Sequence, residues 1–258
     1  MSEAFASSPA ALTPIGVVRS PIADRKQMTT LGVPAAVEIF EPYLDGLLHI
    51  EKHTHLWVLA WLEGANRVTQ VTPRGVAEGP EGMHGVFAVR SPARPNPIGL
   101  TAARVTSRAA NRIEFDRLDF VDGTPVVDLK PYFVTRDLIF SARNKQVGRN
   151  ATKEAIREAL LMQGEAFVGS VDAAMEQAAG VLADFRSEVL GFVDPVWWQV
   201  SVPASRLDLA DAFQAMTRVR LGDGSLRLEG DSIVLRAGGC ERSYSSARTP
   251  FDFPRALK

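Results

Sequence analysis

The sequence of 258 residues contains a single cysteine, Cys240. One cysteine cannot form an intrachain disulfide or supply a thiolate cluster, so we expect no metal site and a reducing compartment, the cytoplasm. Long apolar runs are also missing. The longest, residues 56–62, is far shorter than the roughly 20 residues that a membrane-spanning helix needs. The first fourteen residues contain no lysine or arginine, which argues against a secretory signal.

An excess of charge of one sign is absent too. The 29 Lys and Arg residues nearly balance the 30 Asp and Glu residues, and 46% of the chain is hydrophobic. This composition predicts a globular protein and excludes one that coats nucleic acid with its whole surface. A local basic face remains possible, since residues 85–150 contain eleven Lys or Arg and six Asp or Glu. These side chains either meet an RNA backbone or are scattered over solvated strand faces.

Short, β-branched segments bounded by proline or glycine dominate the first half of the chain. Between residues 112 and 116, Ile113 and Phe115 alternate with charged residues, as in an antiparallel strand with one wet face. Because almost no helical periodicity interrupts this half, a small antiparallel β-barrel is the simplest way to avoid open sheet edges. We predict a mainly β domain over residues 1–148, with strands at 15–19, 36–40, 55–62, 85–89, 100–106, 112–120 and 126–129.

Helical periodicity begins after Asn150, which predicts a smaller α+β domain over residues 149–258. The polar segment 145–150 suits the boundary. We predict a helix at 152–163 that stops at Gly164, a longer helix from the cap Ser170 to Gly191, a strand at 196–202, a helix at 208–218 and a hairpin at 226–235 that turns near Gly230 and Asp231.

The first segment with a chemical signal is residues 85–100, where a strand leads into a loop with three prolines and two arginines. Prolines restrict the backbone, so such a loop loses little entropy when it binds a ligand. Arg90 and Arg94 present planar forks that suit a carboxylate or a phosphate. We assign Arg94 and Asn96 to substrate binding. The alternative is a rigid surface turn with two solvated arginines.

The second signal is residues 119–132. Asp122-Gly123 is a tight-turn dipeptide, which either clasps a small ligand with Thr124 or forms a plain hairpin turn. After the turn, period-two alternation places Asp128, Lys130 and Tyr132 on one face. An acid, a base and a phenol together form a candidate catalytic group, although a surface Asp–Lys pair is usually solvated.

Together with residues 15–21 and 54–57, these strings resemble the TsaA-like family, known as TrmO. The resemblance covers about residues 15–137, and its most specific parts are Arg-Ser-Pro-x-Arg-Pro-Asn-Pro-Ile-Gly at 90–99 and Asp-Gly-Thr-Pro-Val-x-Asp-x-Lys-Pro-Tyr at 122–132. It implies a β-barrel homodimer that binds S-adenosyl-L-methionine (SAM) and N6-methylates threonylcarbamoyladenosine beside the tRNA anticodon. The missing Gly-x-Gly-x-x-Gly of common methyltransferases is then no objection.

By motif position, the resemblance assigns to the cofactor Arg90, Leu100, Asp122, Gly123, Thr124 and Pro125. Two family strings are replaced here: Pro-Arg-Gln of the first loop by Lys26-Gln27-Met28, and His-Gln after the His-x-Trp strand by Glu63-Gly64. We assign Gln27, Glu63 and Gly64 to the cofactor at these positions. A glutamate can still accept a hydrogen bond from the ammonium group of the cofactor, although a solvated strand end is the alternative.

The acceptor nitrogen that the resemblance implies is ureido-like, so its proton is acidified. Our hypothesis is that Asp128 or Tyr132 accepts this proton and that Lys130 stabilises the anion. Two other functions remain open: SAM-dependent methylation of a small molecule, and SAM binding by a regulator without turnover.

The C-terminal half carries a shorter resemblance. Residues 209–218 and 221–226 are similar to the segment that follows the metal site in FmdE-like domains. The expected cysteines and the His-Gly-His element are absent, so we expect no metal there. The domain would then select substrate or form a dimer, and Trp197-Trp198 is either a stacking platform or core.

Overall fold

The computed structural model describes residues 11–29, 31–73, 82–142 and 152–247. The described chain forms two compact units: residues up to 73 together with 83–139, and mainly the residues from 140 on. The predicted boundary between 148 and 149 lies outside the described residues and stays a prediction.

The first unit is built on a closed antiparallel barrel of six strands in the order β1-β2-β7-β6-β3-β8, which confirms the predicted fold. The barrel strands are β1 Gly16–Arg19, β2 Val33–Ile39, β3 His55–Trp61, β6 Ile98–Ala109, β7 Arg112–Leu118 and β8 Pro125–Pro131. A separate two-stranded ribbon, β4 Val71–Pro73 and β5 Met83–Gly85, lies between β3 and β6 along the chain. A short helix, α1 Val134–Asp137, follows β8.

Strict alternation along β3 shows how the sequence selects the barrel interior. Leu56, Val58 and Ala60 are buried in the core, while Trp57 and Leu59 between them are half-buried on the outer face. The predicted strand at 85–89 is wrong beyond Gly85, because the amide of Ala88 bonds back to the Gly85 carbonyl at 2.9 Å and turns the chain.

The second unit packs three helices on a four-stranded sheet of order β10-β9-β11-β12. Its elements are α2 Lys153–Val168, α3 Ala173–Asp184 with a π-helical turn Phe185–Val189, β9 Gln199–Val202, α4 Leu207–Thr217, β10 Leu226–Leu228, β11 Ser232–Ala237 and β12 Cys240–Ser245. This architecture confirms the predicted α+β class.

Three local predictions for this unit are wrong. The hairpin is formed by β11 and β12, whereas β10 pairs in parallel with β9. Helix α2 continues through Gly164 and ends at Gly169, whose φ is +91°. A Cβ on Gly164 would lie 3.0 Å from Met216 Cε, so this glycine permits close helix packing and does not stop the helix. Asp172, not Ser170, caps α3 by accepting from the amide of Met175.

Of the adjacent tryptophans, Trp198 is core, with its ring 5.6 Å from that of Phe185, and Trp197 is 73% exposed. Among the described residues, no helix has the length and hydropathy to cross a bilayer.

Candidate functional site

The register of the barrel places all three sequence-predicted ligand segments at one end, here called the loop rim. β1 leaves the barrel there into the first loop, residues 20–32, since Arg19 pairs with Ala36. β3 leaves it into residues 62–97, since Trp61 pairs with Ile98. The Asp-Gly turn, residues 119–124, joins β7 to β8 at the same end, where Pro125 pairs with Val17.

The Asp-Gly turn is fixed to the first loop by hydrogen bonds in both directions. The Asp122 carboxylate accepts from the amide of Ser20 at 3.0 Å, and the Asp122 amide donates to the Ile22 carbonyl at 2.7 Å. The buried Thr124 donates its hydroxyl to the Val121 carbonyl at 2.7 Å. Gly123 has a φ of +78°, which a residue with a side chain would adopt only with strain. These bonds hold the two segments in one arrangement.

Arg94 holds the proline loop, residues 86–97, from inside. Its guanidinium donates to the carbonyls of Ser91 and Val86, each at 2.7 Å, and to that of Val89. The planar fork suits several acceptors at once. Arg94 therefore supports the loop in this structure, and its predicted contact with substrate stays a prediction.

Arg67 supports the same loop from outside, a role that the sequence did not indicate. It donates to the Pro95 carbonyl at 3.0 Å, and its guanidinium lies 5.5 Å from the centre of the Trp61 ring. The only sequence feature that points to this role is the alternation along β3, which places the Trp61 side chain on the outer face of the barrel.

The other predicted residues of the loop rim lie on three separate stretches of the chain. Gln27 ends a single 3₁₀ turn, Arg25–Gln27, in the first loop. Glu63 and Gly64 follow β3 after Leu62 and are exposed, and Asn96 is exposed in the proline loop. Gly64 and Gly123 each have no atom within 4 Å of where a Cβ would stand. The rim thus has open backbone where a ligand can approach closely.

Apolar and charged side chains are exposed together near this rim. Leu100 is 41% and Phe87 86% exposed, and Arg90 and Glu63 are exposed as well. A ligand that combines an aromatic ring with charged groups would find partners for each part.

Two grooves lie on the barrel. One of 540 Å³ is lined by residues of β1, β2, β6 and β7 and by Ser20, Pro21 and Asp122. Asp122 is thus the one predicted site residue that reaches it. The other groove, of 560 Å³, lies at the opposite end, where Leu47, His49, His53 and Leu129 line it, and Asp128 contributes to its wall.

Asp128 and Lys130 project from the outer face of β8 and form an ion pair at 2.7 Å between Oδ2 and Nζ. They face outward because the register with β3 shifts by one residue: Ala60 pairs with Val126, but Leu59 pairs with Asp128. Val127 is the extra residue of this bulge. The structure therefore brings the predicted acid and base together on the surface of the barrel.

The third member of the group, Tyr132, contacts aromatic neighbours from β3. Its ring centre lies 5.6 Å from that of Trp57 and 6.3 Å from that of His55. From the sequence alone, His55 is expected to be a packing or hydrogen-bonding residue of its strand, and Trp57 is assigned no role.

Most of the basic residues in the described part of 85–142 are already paired with acids. The pairs, by nitrogen–oxygen distance, are Arg104–Asp116 3.7 Å, Arg108–Glu51 3.5 Å, Arg112–Glu114 2.6 Å, Arg117–Asp116 3.5 Å and Lys130–Asp128 2.7 Å. Three more, at positions 143, 145 and 149, lie outside the described residues. The positive excess of this window is therefore not a continuous field on the barrel.

Comparison with known proteins gives a family match over residues 19–138, to the tRNA-methyltransferase O N-terminal domain. A probable S-adenosyl-L-methionine-binding protein of Archaeoglobus fulgidus is 35% identical over 229 residues, covering 83% of this chain and 60% of that protein. An alignment of this length necessarily reaches into the second unit. The tRNA (adenine(37)-N6)-methyltransferase of Escherichia coli is 35% identical, over 46% of this chain and 55% of the enzyme.

The solved structure of TrmO from Pseudomonas aeruginosa aligns with a TM-score of 0.44 and 29% identity, over 53% of this chain and 61% of that one. A second Archaeoglobus fulgidus relative, named an S-adenosyl-L-methionine-binding protein, is 38% identical, and the alignment spans 98% of it and 52% of this chain. Since nearly the whole of that relative aligns at this identity, and the family model matches residues 19–138, the chain belongs to the TrmO N-terminal domain family.

Proposed function

We propose that the chain is a SAM-dependent methyltransferase that binds SAM at the loop rim and methylates N6 of threonylcarbamoyladenosine beside the tRNA anticodon. The observation that carries the proposal is that the positions assigned to the cofactor, which are far apart in sequence, all lie in or next to the segments at the loop rim. The names of the two archaeal relatives support the cofactor, and the name of the Escherichia coli relative supports the acceptor.

The residues at the rim fit the chemistry of SAM. Arg90 would hold the carboxylate and Glu63 the ammonium of its amino acid part, while the exposed Leu100 offers an apolar surface for the adenine. The open backbone at Gly123 and Gly64 leaves room for the ribose and the chain that joins these groups. Gln27, Asp122, Thr124 and Pro125 complete the proposed cradle.

When bound, SAM supplies a methyl group on a positively charged sulfur. The chain's own part is to orient the acceptor nitrogen and to take its proton. Asp128 is the proposed base, with Lys130 at 2.7 Å to stabilise the developing anion. Tyr132, directly after the end of the same strand, is the alternative proton acceptor.

Calorimetry with SAM tests the cofactor, and formation of S-adenosylhomocysteine with bulk tRNA from cells lacking the gene tests the reaction. We expect binding and transfer by the wild-type protein. Asp128→Asn should lower turnover by about 10²–10⁴-fold, the usual contribution of a general base, without changing the SAM Kd. Full turnover by Asp128→Asn would remove Asp128 from the mechanism.

Methylation of a small molecule is the second candidate. It is favoured by the ion pairs that neutralise most of the basic side chains on the barrel, and by the replacements at Gln27 and Glu63-Gly64. Mass spectrometry of tRNA nucleosides from cells with and without the gene separates the two, because an unchanged content of methylated threonylcarbamoyladenosine rejects tRNA as the acceptor. SAM binding with no S-adenosylhomocysteine under any condition would favour the third candidate, a regulator.

The proposal also includes a cytoplasmic location and a homodimer, in line with the single cysteine and with exposed apolar side chains on and beside the ribbon, Val68, Val71 and Met83. Sedimentation of the full chain tests the dimer. The second unit would then select substrate or contribute to the dimer.

A further inference from the structure

The outer face of the barrel carries a group of aromatic side chains that the core does not use. Trp57 and Tyr132 lie 5.6 Å apart with their ring planes tilted by 42°, and His55 lies 6.3 Å from Tyr132. We call Trp57, Tyr132 and His55 the aromatic shelf. The neighbours of Trp57 along β3, Leu56 and Val58, fill the barrel interior, so the phase of the strand directs Trp57 away from the core.

The register connects this shelf to the proposed site. Leu59 lies between Leu100 of β6 and Asp128 of β8, so these side chains form one row across the outer face. Trp57 lies in the next row, between Ala102 and Lys130. Diagonal neighbours on such a face are roughly 7–8 Å apart, so Asp128 and Trp57 are neighbours across β3 and β8.

The next row adds a cation. Arg104 pairs with His55 across the two strands, and its side chain is 46% exposed although it lies 3.7 Å from Asp116. The shelf is thus bounded by Lys130 on one strand and Arg104 on the other, and each cation stays exposed beside the aspartate with which it pairs. Aromatic faces between cations are the combination with which proteins bind single-stranded nucleic acid, because the bases stack and the phosphates meet the charges.

We propose that the aromatic shelf binds a nucleobase of single-stranded RNA, which stacks on Trp57 with Tyr132 at its edge. The inference rests on the proposed function and deepens it. It assigns Trp57 to the acceptor, separately from the cofactor at the loop rim. Asp128, the proposed base, lies on the same outer face in the adjacent row.

The first test measures methyl transfer to bulk tRNA from cells lacking the gene. Trp57→Ala should raise the KM for tRNA about 5- to 100-fold, the range observed when a stacking residue is removed, with an unchanged SAM Kd. Trp57→Phe should recover most of the loss, because it retains a flat ring. The matched control is Phe40→Ala, which removes an exposed aromatic side chain directly after β2, the strand opposite β3 in the barrel, and should leave both values unchanged. A normal KM for Trp57→Ala, or an equal loss in Phe40→Ala, overturns the proposal.

A second test does not depend on turnover. Binding of a short oligoadenylate RNA is measured by calorimetry with the cofactor site saturated by S-adenosylhomocysteine, so that the RNA cannot occupy that site. Weaker binding by Trp57→Ala, restored in Trp57→Phe, supports the shelf even if no methyl transfer to tRNA is found, in which case the proposed function fails alone. Equal binding by wild type and Trp57→Ala, together with normal SAM binding and transfer, means that the shelf fails alone.

Discussion

The two units use their polar side chains differently. In the second unit, the guanidinium of the buried Arg206 donates hydrogen bonds to Asp208, Gln177 and the Ser246 carbonyl, all within the fold. In the barrel unit, Asp122 and Arg94 bond to backbone of the loops and leave neighbouring groups such as Arg90 facing solvent. The first arrangement fixes a core, whereas the second fixes a surface that can receive a ligand.

The largest expected effects come from matched substitutions in the cores of the two units. Phe115 in the barrel and Phe213 in the second unit are both fully buried, and replacing either with alanine should cost its unit about 3–5 kcal/mol. Phe115→Ala should also weaken SAM binding, because β7 carries the Asp-Gly turn, while Phe213→Ala should not. Hydrogen exchange by unit and calorimetry with SAM measure both effects. Equal loss of SAM binding in the two variants contradicts the division of roles.

Gly99→Ala tests how closely the barrel is packed beneath the loop rim. The new Cβ would clash with Phe120 Cε1 and stand 3.1 Å from Leu62 Cδ2, and overpacking of this kind costs about 1–3 kcal/mol. Gly85→Ala is the control, since nothing lies within 4 Å of its Cβ. Denaturant unfolding gives the free energies. Adding Phe120→Leu to Gly99→Ala should recover stability, and no recovery would mean that Phe120 is not the obstacle.

Arg94→Ala should affect binding more than folding. Losing three hydrogen bonds inside the proline loop leaves its backbone less ordered, and a SAM affinity about tenfold lower corresponds to roughly 1.4 kcal/mol of lost preorganisation. Arg94→Lys should not restore affinity, because an ammonium lacks the planar fork. Calorimetry measures the affinity, with Arg136→Ala, outside the loop, as the control. Normal affinity in Arg94→Ala would show that the prolines alone keep the loop in place.

The smallest effect concerns a turn of the second unit. The hydroxyl and amide of Ser225, followed by the Arg220 guanidinium, lower the pKa of Asp223 from 3.8 to about 2. The carboxylate is thus favoured in the folded state, so its stabilising contribution is present above pH 3.8 and is lost as the pH falls through about 2. Carboxyl NMR titration should place the midpoint near 2, and Ser225→Ala should raise it. A midpoint that Ser225→Ala leaves unchanged would exclude the serine as the cause.

The barrel could be predicted from sequence because its strands alternate and its loops carry proline and glycine. The sequence pattern gave wrong predictions where it had to identify the strand or helix against which an element packs. Residues 226–235 are typical of a hairpin, but β10 pairs with β9, which is distant in sequence. Gly164 is typical of a helix end in the local sequence. Its packing against Met216 involves another helix, so the local sequence does not show it.

The candidate site was predictable to a similar extent. The motif strings located the three rim segments and include Trp57, but Arg67 belongs to no string, and only the register and the fold of the proline loop reveal the contacts of these two residues. Counting by twos from the buried Val126 would also have placed Asp128 in the core. The bulge reverses that expectation, and no residue in the sequence signals it.

This bulge has a consequence for how the barrel tolerates change in length. Because Val127 has no partner opposite it on β3, a chain shortened by that one residue would keep Val126 inside, Asp128 outside and Leu129 inside. It would lose the local bend that the bulge introduces into β8. The fold of the barrel and the direction of the Asp128 side chain therefore depend separately on this one position. A deletion of Val127 would change where the carboxylate points without exchanging the inner and outer faces of β8.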